Sequence, residues 1–257
     1  MLPIRFMPFT AHSVIYSESH FDLRLSLLRV FVWRGVHCVM AGRMSEVRDT
    51  ETVTAAKLSS PPDRDGFPMP AAWSGAHPIA FDHDWQGKHA DPLRETEVRI
   101  LWTPETLYLK FVAHYRNITV FPSGEADGRR DDLWNRDVAE VFLQPAGSEP
   151  GCYKEFEVSP NGLWIDLDIA RARRENLRSG LKRGVAIDGK NKTWQAELAL
   201  PMKSLTAQFN PQSIWRVNFY RVEGTEEPRF YSAWRPTGTP TPNFHVPESF
   251  GKLLFKS

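Results

Sequence analysis

The chain has 257 residues, 41% hydrophobic and 25% charged, which suits a globular protein of one large domain or a domain plus an appendage. Its formal net charge of +1 argues against broad electrostatic binding to nucleic acid or to an anionic membrane. No apolar run reaches the roughly 18 residues of a spanning helix, and nine Trp, 16 Phe, 20 Pro and 16 Gly point to short strands and many turns.

The first 44 residues carry five Arg, two acids and scattered aromatics. Their best apolar stretch, Leu23 to Val39, is broken by Arg24, Arg29 and Arg34, so it does not read as an export signal. Residues 1–60 are expected to be a poorly ordered extension, with translation starting at Met40 or Met44, and residues 61–257 to be the folded domain. Ser59-Ser60-Pro61-Pro62-Asp63-Arg64-Asp65-Gly66 reads as the lead-in. Cys38 and Cys152 have neither metal-type spacing nor a disulfide framework and are read as free thiols.

From there strand signals follow one another. Thr96 to Trp102 alternates polar and apolar residues, Thr103-Pro104-Glu105-Thr106 turns, and Leu107 to His114 returns as a hairpin. Val138 to Leu143 and Tyr153 to Val158 are strands. Ser159-Pro160-Asn161-Gly162 is a tight turn, and Leu163 to Ile169 comes back from it. Residues 170–182 form either a short helix or a long solvated loop, because the apolar stripe is thin. Val185 to Ile187 and Trp194 to Leu200 make a further hairpin closed by Pro201. Trp215 to Arg221, Phe230 to Trp234 and Gly251 to Phe255 complete the series. With no βα alternation, the expected fold is all-β, an antiparallel β-sandwich.

The candidate chemistry lies mid-chain. Trp134 follows Arg129-Arg130-Asp131-Asp132, charged company in which a core indole is uncommon. Glu140 sits between Ala139 and Val141 in a strand and needs a partner or solvent, a sugar hydroxyl or an arginine such as Arg216 or Arg221. Glu155 and Glu157 share one strand face, as do Asp166 and Asp168. Such pairs leave open a solvated face, a structural calcium site, or a glycoside hydrolase with Glu157 and Asp166 or Asp168 as its carboxyl pair. His77, His83 and His89, beside Asp82 and Asp84, recur at a spacing that suits neither helix nor strand ligation of zinc. A haem site would have His114 as its axial ligand, and no Met opposes it in any defensible pattern. No cofactor is expected.

The ordered set of Trp102 to Phe111, Trp134, Asp137, Glu140 to Phe142, Phe156, Pro160-Asn161-Gly162, Trp194, Glu197, Pro201, Trp215, Asn218, Ser232, Trp234, Pro247 and Phe250-Gly251 resembles carbohydrate-binding module family 9. The resemblance implies that the antiparallel sandwich is jelly-roll-like and that the domain is non-catalytic, holding a mono-, oligo- or polysaccharide end between two aromatic rings, in carbohydrate catabolism and at an extracytoplasmic location. By position, Trp134 falls on the first ring and Phe244 on the second, where the best-known members carry Trp. Glu140 falls on a hydroxyl-gripping acid. Glu157 and Ser159 replace basic and amide groups, and Tyr220 replaces an amide. Trp134, Phe244, Glu140, Glu157, Tyr220 and Arg221 are the expected ligand-binding set.

Overall fold

The computed structural model describes residues 51–171 and 173–257, so the expectations for Met40, Met44 and Cys38 lie outside the described residues. Thirteen strands make up its framework: β1 (Thr52–Lys57), β2 (Ile79–Phe81), β3 (Thr96–Trp102), β4 (Thr106–His114), β5 (Val138–Gln144), β6 (Cys152–Val158), β7 (Trp164–Ala170), β8 (Arg173–Asn176), β9 (Lys182–Asp188), β10 (Thr193–Pro201), β11 (Trp215–Glu223), β12 (Phe230–Ala233) and β13 (Gly251–Lys256). Their order is β8-β7-β6-β5-β11-β13-β1-β3-β4-β10-β9, with β12 on β11 and β2 on β3. The long sheet curls into two facing layers. Phe111 of β4 and Phe219 of β11 meet edge to face across the interior at 6.2 Å.

Turn chemistry sets the hairpins. The Thr103 hydroxyl accepts from the backbone N–H groups of Glu105 and Thr106 at 3.3 and 3.1 Å, which reverses β3 into β4. Gly162 takes φ +82°, a conformation glycine adopts freely, and the Ser159 N–H donates to the Leu163 carbonyl at 2.9 Å to turn β6 into β7. Asp188 accepts from the N–H groups of Lys190 and Asn191 to turn β9 into β10.

Alternation then sorts side chains by face. Ala139, Val141 and Leu143 of β5, Phe156 and Val158 of β6 and Val217 and Phe219 of β11 point between the layers, against Ile100, Leu109, Phe111, Trp194 and Leu198. Burying side chains of this size stabilises by roughly 1.5–3 kcal/mol each. Their neighbours Val138, Phe142, Tyr153, Ile165, Leu167, Tyr220 and Val222 point the other way and form a second apolar cluster on the outer face of this layer. That outer face carries the site.

Two details depart from the expectation. Residues 52–57, assigned to the irregular extension, form β1. The strand lies in the middle of the sheet order and pairs parallel with both β13 and β3, while the other strand pairs are antiparallel, as expected. Its sequence, TVTAAK, is short and weakly patterned, and its partners lie far away in the chain. Within residues 170–182 the chain forms neither helix nor simple loop but β8, all four residues exposed, antiparallel to β7. An edge strand rich in Arg and Glu is a common protection against unwanted pairing.

No helix among the described residues is long and apolar enough to cross a membrane. Among the described residues no three His, Cys, Asp or Glu side chains converge as metal ligands. His83 pairs instead with Asp82 at 2.7 Å, and Asp84 caps a turn through the N–H groups of Gln86 and Lys88.

Candidate functional site

Strand register builds the floor. Glu140 of β5 lies directly opposite Glu157 of β6, and Phe142 lies opposite Glu155. Alternation sends Glu140, Glu155 and Glu157 to the outer face, where they sit side by side, only 1–2% exposed. Among the described residues no hydrogen-bond donor from outside the three acids reaches Glu140 Oε1 or either oxygen of Glu157. Glu155 Oε2 has the His245 ring, 3.8 Å away. Buried polar atoms without partners are uncommon, and they point to a ligand or to water.

Charge chemistry follows from that burial. Desolvation, reinforced by the neighbouring Glu155, raises the Glu140 carboxyl well above its ordinary value. Desolvation followed by Glu140 and Glu155 does the same to Glu157. Burial pushes Glu155 up to about 7, against the opposing pull of its hydrogen-bond contact with Glu157 and of Arg174. Burial and Arg174 together lower His245, so its ring is neutral at pH 7.

Two walls rise from the floor. Trp134 sits in a single 3-10 turn, Leu133–Asn135, entered through Asp132 in the left-handed conformation and anchored by the fully buried Leu133. Its carbonyl accepts from Arg229 at 2.9 Å, and the Arg174 guanidinium lies 4.7 Å from its ring centre. The second ring is Phe244, half-buried and stacked on Tyr220 at 4.2 Å with an interplanar angle of 12°. Both rings line an open cavity of about 170 Å³, bordered also by Tyr231, Asn243 and His245.

The structure brings four of the six expected residues to this cavity: Trp134, Phe244, Glu140 and Glu157. Tyr220 shares the face but is fully buried beneath Phe244. Its hydroxyl donates to the Phe244 carbonyl at 3.0 Å and accepts from Asn218 at 2.8 Å, so it supports the wall. Arg221 is on the wrong side of the sheet for a ligand contact. As the next residue on β11 it points between the layers, 3.4 Å from Glu223, 4.0 Å from Asp137 and over the Trp194 ring at 5.2 Å. The same alternation separates the proposed hydrolytic pair. Asp166 faces away from Glu157 and accepts from the N–H groups of Arg178 and Ser179, while Asp168 pairs with Lys154 at 2.7 Å.

Sequence reasoning missed Arg174, Arg229, Tyr231 and His245. Arg174 comes from the edge strand β8, Tyr231 from β12, and Arg229 and His245 from loops, and the placement of all four is set by distant contacts. Glu155 was legible as the same-face neighbour of Glu157, but its entry into the cavity was not.

No family model matches the chain. Two proteins align with about two thirds of it. An "Extracellular protein" of Arthroderma benhamiae is 24% identical over 182 residues, 64% of this chain and 80% of its own length. The UPF0462 protein C4orf33 homolog of Rattus norvegicus is 26% identical over 174 residues, 65% and 83% respectively. Among solved structures, a Bacteroides uniformis protein named for an inferred carbohydrate-binding role superposes with a TM-score of 0.65 at 19% identity, covering 80% of this chain and 99% of that one. A family 9 carbohydrate-binding module from Caldicellulosiruptor kristjanssonii, solved with cellotriose, gives 0.54 at 13% identity over 80% and 94%. Its complex with glucose gives 0.53 at 13% identity over 80% and 96%. The described residues thus have the fold of a carbohydrate-binding module of family 9.

Proposed function

We propose that this protein binds carbohydrate without transforming it, seating one sugar ring between Trp134 and Phe244 on the floor of Glu140, Glu155 and Glu157. The observation that carries this reading is the set of buried carboxyl oxygens that no donor from outside the three acids reaches, lining one cavity together with two aromatic rings. A pyranose offers apolar faces to the rings and a hydroxyl rim to the acids. A charge-assisted hydrogen bond contributes roughly 1.5–3 kcal/mol before desolvation is subtracted. The similarity in fold to modules solved with glucose and cellotriose supports the same reading.

Binding is favoured over hydrolysis because the three acids lie together under the ligand. A glycosidase places its two carboxyl groups on either side of the scissile bond. The name of the fungal relative, an extracellular protein, supports work outside the cytoplasm.

Isothermal titration calorimetry against mono- and oligosaccharides tests the proposal. A shallow two-walled site predicts micromolar to millimolar Kd, about −4 to −8 kcal/mol. Trp134→Ala is expected to weaken binding about tenfold or more while leaving the half-exposed site's fold intact. Failure of every sugar to bind, or binding indifferent to that change, would reject it.

A further inference from the structure

The floor gathers three buried carboxyl groups, Glu140, Glu155 and Glu157, and among the described residues no cation is hydrogen-bonded to any of them. The groups facing them are accounted for element by element. Arg174, on β8, is exposed and stacks on Trp134. Arg229, ahead of β12, donates to Glu227 at 3.2 Å and to the Trp134 carbonyl. The Tyr231 hydroxyl is held by Glu227 and the Tyr153 hydroxyl by His245, each at 2.6 Å. Arg221 lies behind the floor, committed to Glu223 and Asp137. His245 is neutral at pH 7.

We propose that the cleft selects an amine-bearing sugar, a 2-amino hexose such as D-glucosamine, over its neutral counterpart, with the ammonium seated among Glu140, Glu155 and Glu157 and the ring against Trp134. This rests on the carbohydrate reading above and narrows its ligand class. Three ammonium N–H donors match a floor that presents four oxygens with no hydrogen bond from outside the three acids. The attraction is stronger here than in bulk water because the carboxylates are desolvated. Trp134 already accepts a cation over its face in Arg174, and an exposed arginine can give way to a ligand that supplies both charge and ring. A neutral hydroxyl satisfies one acceptor and supplies no cation to the three carboxyl groups. Seating an ammonium also favours the ionised floor, so binding is expected to expel protons.

The test is calorimetry of the wild-type chain with D-glucosamine, D-glucose and N-acetyl-D-glucosamine at neutral pH, in phosphate and in Tris. The expected result is glucosamine at least about tenfold tighter than both neutral sugars, with an apparent enthalpy that differs between the buffers because protons are released. In Glu157→Gln the preference should fall below threefold. If that variant does not fold, the wild-type panel decides alone. Glucose binding as tightly as glucosamine would overturn the amine selection and leave the carbohydrate reading standing. A protein that binds none of the three, nor any other sugar, would end both.

Discussion

Tyr220 and Arg221 are chain neighbours with opposite surroundings. A strand cannot show both to one ligand. Tyr220 backs the aromatic wall, while Arg221 is sealed between the layers with Asp137 and Glu223. Removing one member of a buried charge cluster strands the others, so Arg221→Ala is expected to cost about 3–5 kcal/mol in urea unfolding. The floor acids give a second residue-level prediction. Glu140, Glu155 and Glu157 hold protons more tightly when folded than the unfolded reference of about 4.3. The native state therefore carries more protons than the unfolded state above that pH, and stability falls as pH rises from about 4.3 through about 7, where Glu155 titrates. Surface acids with lowered values, such as Asp63 and Asp188, lose their protons below this window. Glu140→Gln should flatten the decline. Urea midpoints that rise from pH 4.5 to 7.5 in the wild type would contradict it. Trp134 and Glu140 were legible because their neighbours made burial without a purpose improbable. The role of Arg221 was not, because the decision turns on which face the strand turns inward.

At the scale of elements, hairpins were readable from their turn residues, since Thr-Pro-Glu-Thr and Ser-Pro-Asn-Gly dictate local reversals whatever surrounds them. β1 was not. Its parallel partners β3 and β13 lie tens to hundreds of residues away, and nothing local records such a pairing. The seam it forms is tight. A Cβ at Gly251 would lie 2.5 Å from Trp234 Cη2 and 2.6 Å from the Glu51 carbonyl oxygen, closer than packed atoms allow. Gly251→Ala is expected to destabilise by about 1–3 kcal/mol through overpacking, read as a lower melting temperature. An unchanged melting temperature would mean that β13 can move away from β1 at little cost.

At the scale of the molecule, one curled sheet separates two tasks. The face between the layers supplies the core, and the outer face of β5, β6 and β11 supplies the cleft. Because β1 links the two halves of the sheet order, a chain begun at residue 61 should fail to fold, whereas one begun at residue 47 should unfold cooperatively. Circular dichroism on the two fragments checks this. The central claim is that a sugar ring enters the cavity beside Trp134. Its most direct test is a nuclear magnetic resonance titration that follows the tryptophan indole N–H signals, with Trp134 assigned through Trp134→Phe. On addition of glucosamine or cello-oligosaccharide, the account predicts a saturable shift of the Trp134 signal, while the core signals of Trp102, Trp194 and Trp215 stay in place. A Trp134 signal that does not move while the sugar binds elsewhere would contradict it.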